Sequence, residues 1–203
     1  MKNMKYTGIA LIAGLVMWGC DSIGNQTIHG TGDVESMEVE VPDFEGVSVS
    51  GTCNVDIEIG DNQTVVFYAQ GEVLDVMTYE VDDGILEISF RKGYTVNTSE
   101  EIRAEITIPV VNYAGVTGVG DFEFSGGQQD LLDIYISGAG NVNAFDMPVN
   151  DCSIRVSGTG NCQVHVIDHL DVSISGVGNI WYRGNPTLDT DVSGVGNIIP
   201  DGS

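Results

Sequence analysis

A six-residue phrase, Ser-Gly-x-Gly-Asn-apolar, recurs through the second half of the chain at an almost fixed interval. It reads SGAGNV from Ser137, SGTGNC from Ser157, and SGVGNI from both Ser175 and Ser193. A variant, TGVGDF, begins at Thr117, and a degenerate one, SGTCNV, begins at Ser50. From Thr117 onward the steps are 20, 20, 18 and 18 residues. A period this short predicts stacked, similar coils, because each coil can bury its apolar side only against its neighbours.

The stretches between the phrases align into columns. Leu132, Cys152, Leu170 and Leu188 form one; Ile134, Ile154, Val172 and Thr190 a second; Ile136, Val156, Ile174 and Val192 a third. Just past the phrase come Phe122, Val142, Cys162, Ile180 and Ile198. Positions between these columns hold Asp, Ser, Tyr, Arg or His. Alternation within a coil, joined to identity between coils, predicts an all-β fold: a right-handed parallel β-helix with rungs of about 18–20 residues. The variable segments Phe145–Asp151 and Arg183–Thr187 are expected to bulge outward between strands.

Residues 44–114 alternate in short apolar runs but repeat less regularly. They read as irregular first coils or a small antiparallel cap, with a hairpin turn at Asp82-Asp83-Gly84 and a weak helical turn near Glu72–Met77. The regular rungs are expected over 115–199. Together the two parts make a single domain, 44–199.

The phrase itself reads as a corner. Its glycines (Gly118, Gly120; Gly138, Gly140; Gly158, Gly160; Gly176, Gly178; Gly194, Gly196) suit a tight bend with positive φ and close packing on the next bend. Asp121, Asn141, Asn161, Asn179 and Asn197 are placed to form a side-chain ladder satisfying corner backbone groups. A catalytic group is needed once, whereas a structural corner is needed every turn. Gly-x-Gly-Asn/Asp also suggests a calcium-binding roll, but aspartate occurs only at Asp121, so no metal or other cofactor is expected. A phosphate cradle would need a following helix or lysine, and neither is present.

The N-terminus has a different character. Lys2 and Lys5 precede an apolar run from Ile9 to Trp18, then Gly19 and Cys20. The run is too short to span a membrane and reads as a signal peptide over residues 1–19. A small residue before the first cysteine is the lipoprotein arrangement, with Cys20 as the lipidated residue, although Met17 and Trp18 depart from the usual pattern. An ordinary cleaved secretory signal is the alternative. Residues 20–43 are expected to be the lipidated cysteine and a flexible tether. Beyond the signal, five basic residues (Arg91, Lys92, Arg103, Arg155, Arg183) face 30 acidic ones. Such a surface excludes nucleic acid and polyanionic polysaccharide as partners.

These phrases resemble the auto-transporter adhesin head GIN domain family of bacterial envelope proteins. The resemblance runs from about Phe44 to Ile199. It rests on Phe-x-Gly-Val-x-Val-Ser-Gly (Phe44–Gly51), the Asp-Gly-Ile-Leu-Glu-Ile segment ending at Ile88, and the later corner phrases. It implies a β-helical fold and an envelope location, and it carries no established catalytic or ligand residues. Cys53 occupies a corner glycine position and departs from the pattern.

Other candidates are few. Cys152 and Cys162 fall in apolar columns and read as buried hydrophobes, with a disulfide permitted by an oxidising compartment. His165 and His169 read as surface histidines rather than a metal pair. Asp171, Asp189 and Asp191 are outward carboxylates, solvated by default, and a weak cation site or a glycoside-cleaving pair is the sharper alternative. Tyr135, Trp181 and Tyr182 are sugar-stacking candidates. The reading is a non-enzymatic binding or adhesion module, anchored in the bacterial envelope, with the outer membrane favoured. Its expected partners are the membrane through its lipid and a glycan or cell-surface protein. The alternatives are a carbohydrate-active enzyme on neutral glycans and an architectural envelope lipoprotein.

Overall fold

The computed structural model describes residues 26–202. In chain order the first strands are β1 (Gln26–His29), β2 (Val34–Val39), β3 (Gly46–Val49), β4 (Asn54–Ile59) and β5 (Thr64–Gln70). A helical turn, α1 (Gly71–Leu74), leads to β6 (Met77–Asp82), β7 (Ile85–Phe90), β8 (Tyr94–Asn97) and β9 (Arg103–Ile108). The repeat-bearing half follows with β10 (Tyr113–Val116), β11 (Phe122–Ser125), β12 (Gln129–Ile136) and β13 (Val142–Val156). It ends with β14 (Cys162–Ile174), β15 (Ile180–Arg183), β16 (Thr187–Val192) and β17 (Ile198–Pro200).

The protein is all-β, built on one strongly curled, mixed sheet with a small separate pair, β1–β8. Two ladders run through the main sheet. A leading ladder, of strands that enter the glycine phrases, runs β6–β7–β3–β10–β12–β13–β14–β16. A trailing ladder, of strands that leave them, runs β2–β5–β9–β4–β11–β13–β14–β15–β17. Strands β13 and β14 are long enough to serve both. The inward columns meet in one continuous core, in which Leu132, Ile134, Ile136, Ile154, Val172 and Ile174 are fully buried. Each such side chain contributes about 1.5–3 kcal/mol by leaving water.

Three features differ from the parallel stack expected above. First, the pairs β2–β5, β5–β9 and β6–β7 are antiparallel, so the sheet is mixed, and the antiparallel cap, one of the two arrangements expected for residues 44–114, is present. These strands cover the end of the stack where a parallel edge would otherwise lie open. Asp83 and Gly84 make the β6–β7 hairpin, both with positive φ (52° and 77°) as a two-residue turn requires.

Second, chain order and stacking order part company. The rung formed by β3 and β4 lies inside the stack: β3 pairs with β7 on one side and β10 on the other, and β4 pairs with β9 and β11. The chain therefore builds an interior rung, adds the outer one, then crosses back. The boundary expected at 114/115 cuts through β10.

Third, Phe145–Asp151 lies within the continuous strand β13, with Met147 and Val149 buried, and the expected bulge is a local break in its register with β14. Ala144 pairs with Val164 and Asp151 with His169, so seven steps along β13 face five along β14. That slip absorbs the change of repeat interval from 20 to 18. Residues 26–39, expected within a tether, contain β1 and β2, whose partners lie far along the chain at β8 and β5. Cys20 and the signal segment lie outside the described residues.

Candidate binding surface

The glycine corners stack in register, with Thr52, Val119, Ala139, Thr159, Val177 and Val195 bridged one to the next. None of the corner glycines has positive φ, contrary to expectation; those that do are Gly32, Gly84, Gly93, Gly126 and Gly184. The corners need glycine for closeness alone. A Cβ on Gly138 would stand 2.0 Å from the Gly118 carbonyl oxygen, and one on Gly140 would stand 1.9 Å from that of Gly120. Cys53 is tolerated because the rung beyond it, between β7 and β9, carries no glycine corner to collide with. Its backbone still pairs in register, the amide donating to the Val119 carbonyl at 3.0 Å.

The expected side-chain ladder is present. Asn141 donates its backbone N–H and side-chain Nδ2 to Asp121 Oδ1, at 2.7 and 2.9 Å. Asn161 does the same to Asn141, and Asn197 to Asn179, while Asn179 donates its backbone N–H to Asn161 Oδ1. At the start, Asn54 accepts the Asp121 amide and donates to Glu101. The corner oxygens are thus occupied with one another.

Cys53, Cys152 and Cys162 are free thiols in the core. Burial, assisted by Glu101 and Asp56, pushes the Cys53 thiol up to about 12. Burial likewise raises Cys152 and Cys162. Among the described residues no group of three or more His, Cys, Asp or Glu is placed to share a metal ion. His165 faces outward beside Arg183, and His169 pairs across to Thr187.

The remaining candidate groups lie on the outer surface. On the leading ladder the outward positions form two rows. One reads Ile85, Gly46, Tyr113, Asp133, Ser153, Asp171, Asp189; the other reads Glu87, Ser48, Gly115, Tyr135, Arg155, Ser173, Asp191. Tyr113 lies along the sheet rather than standing from it. A Cβ on Gly46 would meet the Tyr113 Cβ at 3.0 Å, and one on Gly115 would meet the phenolic oxygen at 2.7 Å. Glycine inside a strand weakens it, and here two of them clear the floor for one ring. Burial pushes the Tyr113 phenol above its ordinary value, with added repulsion from Tyr135, Asp133 and Glu87.

A cleft of about 340 Å³ opens at one end of this ring, lined by Asp43, Phe44, Glu45, Asp83, Gly84, Ile85, Asn112 and Tyr113. Asn112 Nδ2 donates to Glu45 Oε2 at 2.9 Å, which orients both side chains at its edge. Tyr135, 37% exposed, sits on the far side of Gly115 on the adjacent strand.

The structure separates the three aromatic candidates. Tyr135 is on the leading face, Trp181 on the trailing face beside Gln163, and Tyr182 turns inward against the core. Arg183 lies 3.9 Å from the centre of the Phe145 ring and pairs with Asp201 at 2.7 Å. Sequence reasoning missed Tyr113, whose signal was the Tyr-x-Gly spacing of Tyr113 and Gly115. Of the carboxylate candidates, Asp171 and Asp189 are lateral neighbours, and Asp191 lies beside Ser173.

Stacked glycine corners around one apolar core, with Tyr113, Tyr135 and Trp181 on the outer faces, define an all-β domain of stacked strands. The family described as "Putative auto-transporter adhesin, head GIN domain" matches twice, over residues 43–134 and 113–186, and the chain belongs to it. A "putative adhesin" from Bacteroides fragilis superposes with a TM-score of 0.61 at 21% identity, covering 86% of this chain and 100% of that one. A "putative lipid binding protein" from Parabacteroides distasonis aligns at TM-score 0.48 and 17% identity, covering 87% and 100%. A "putative adhesin" from Parabacteroides merdae aligns at 0.41 and 17%, covering 86% and 99%. No functionally curated protein matches the sequence. The first likeness establishes a shared fold.

Proposed function

We propose that this protein is a non-enzymatic binding module of adhesion type, displayed on the bacterial envelope and held there by lipid on Cys20 after removal of residues 1–19. The observation that carries the reading is the outward tyrosine surface: Tyr113 laid over Gly115 next to Tyr135, beside a polar cleft, on a rigid sheet. Membership of an adhesin family favours binding over chemistry, as does the burial that keeps the core thiols protonated. The glycine–asparagine corners serve as scaffold, and the coils wind right-handed, as parallel crossovers prefer. The outer membrane is the favoured address, and the partner is a glycan or a protein on another surface.

Two measurements test this. Cells displaying the full chain should adhere to a mixed panel of mucin, matrix proteins and other bacteria, and Tyr113→Ala with Tyr135→Ala should abolish the gain. Adhesion no greater than that of cells lacking the protein would overturn the reading. Cys20→Ser should move the protein from the membrane fraction to the soluble one, and continued membrane retention would remove the lipid anchor from the account.

A further inference from the structure

We propose that the Tyr113 cleft and the Tyr135 ring form one surface for a neutral glycan chain lying across the strands of the leading ladder. The inference rests on the reading of this protein as a binding module and names the chemistry of its ligand.

Sugar rings present flat patches of C–H groups edged by hydroxyls, so they favour aromatic surfaces next to hydrogen-bonding groups. This face has that composition. Gly46 and Gly115 let Tyr113 lie along the sheet, and Tyr135 follows on the next strand in line with Gly115. Neighbouring strands are about 4.8 Å apart, close to the length of one sugar residue in an extended chain. A glycan crossing the strands therefore meets successive rings with successive sugars.

The polar groups suit hydroxyls. At the cleft, Asn112 and Glu45 are already oriented by their mutual hydrogen bond, and Asp43 and Asp83 line the same space. Carboxylates accept hydrogen bonds from paired hydroxyls, and Ser48 and Asp133 flank Gly115 and Tyr113 on the adjacent strands. The volume, about 340 Å³, has room for a single sugar ring at the chain's end.

Charge decides between ligand classes. With a net charge of −23, the protein repels acidic polysaccharides. A cationic peptide would suit the carboxylates, but Arg155 stands next to Tyr135 across the ladder, directly in its path. A neutral chain meets neither obstacle, and Arg155 offers it donors.

The test is affinity electrophoresis of the intact, detergent-extracted protein through gels containing neutral polysaccharides (mannan, galactan, β-glucan, α-glucan) or acidic ones (alginate, polygalacturonate). Retardation is expected in at least one neutral gel and in neither acidic gel. Tyr135→Ala, at an exposed position, should weaken it at least tenfold, and Tyr135→Trp should restore it. Retardation that ignores Tyr135 and Tyr113, or that occurs only with acidic polymers, would overturn the proposal, as would none in any neutral gel. Periodate treatment of target cells, which destroys vicinal diols, separates this failure from that of the parent reading. Adhesion that survives both periodate and competition by each of the neutral polysaccharides, but is lost in the tyrosine variants, keeps the binding module and eliminates the glycan.

Discussion

Tyr113 and Gly115 occupy one space: the phenolic oxygen of Tyr113 is 2.7 Å, and its Cε1 2.9 Å, from where a Cβ on Gly115 would stand. The colliding atoms are the far end of a flexible side chain, so the ring can swing away. Gly115→Ala should therefore change stability by less than about 1 kcal/mol, because reduced unfolded-state entropy offsets the displacement. It should nonetheless lift the ring from the sheet and weaken ligand retention. A urea midpoint near the parent's, with retention reduced, is the expected pair; unchanged retention would remove Tyr113 from the surface.

At the corners the same substitution meets backbone. A Cβ on Gly158 would lie 2.1 Å from the Gly138 carbonyl oxygen and about 2.5 Å from Ser137 backbone atoms. No side-chain rotation relieves this. Gly158→Ala should cost about 4 kcal/mol or more, in the range of gross disruption. Gly127→Ala, whose nearest neighbour is a side-chain carbon at 3.8 Å, should be nearly silent. Equal denaturation midpoints for the two variants would refute close approach as the reason for these glycines.

The asparagine ladder predicts a positional gradient. Asn161→Ala removes a donor to Asn141 and the acceptor of the Asn179 amide, whereas Asn197→Ala removes only a donor to Asn179. With each hydrogen bond worth about 1 kcal/mol, the interior variant should lose about that much more stability. Hydrogen exchange at the Asn179 amide should quicken in Asn161→Ala alone. Equal costs and unchanged exchange would mean that the ladder follows the fold without supporting it.

What could be read from the sequence divides along a physical line. The columns through Leu132, Ile134 and Ile136 and the corner phrases recur at fixed intervals, so stacking and burial were legible from period alone. The closure of the other end was legible in part, as an antiparallel cap with a hairpin at Asp83-Gly84, but its strand partners were not. Strand β2 pairs with β5, and β1 with β8, partners roughly 30 to 70 residues away whose identity depends on sheet edges rather than local pattern. The Ser50 phrase was legible as a degenerate corner, but its interior placement was hidden, because nothing local reveals that β10 crosses back to β3. The candidate surface was half legible. Tyr135 stood out as an outward aromatic, but Tyr113 becomes its neighbour only through parallel register.

The buried thiols make stability fall at alkaline pH. In the unfolded chain a thiol titrates near 9.0, while burial holds Cys53 at about 12 and raises Cys152 and Cys162 as well. Between those values the unfolded state releases protons that the folded state keeps, so rising pH favours unfolding. Below 9.0 the three thiols add no pH dependence. Within the window each contributes a loss of about 1.4 kcal/mol per pH unit. Melting temperatures from pH 7.5 to 10.5 should decline more steeply in the parent than in Cys53→Ala. Parallel curves would mean that Cys53 ionises in the native state.

The far end of the stack makes the last prediction. All six residues of β16 are exposed, and among the described residues the strand pairs with β14 alone. Leu188 and Val192 are 42% and 44% exposed, although their column mates Leu170 and Ile174 are fully buried. An open apolar edge of this kind recruits other strands unless charge prevents it, and Asp189 and Asp191 supply that charge on β16 itself. Pairing two copies edge to edge would crowd four carboxylates together with no cation between them. Asp189→Asn with Asp191→Asn should therefore produce concentration-dependent association in sedimentation velocity, while the parent stays monomeric. Glu87→Gln, on the same face but on the interior strand β7, should sediment as the parent does. A double variant that remains monomeric at every concentration would show that the edge is protected by its geometry and not by its charge.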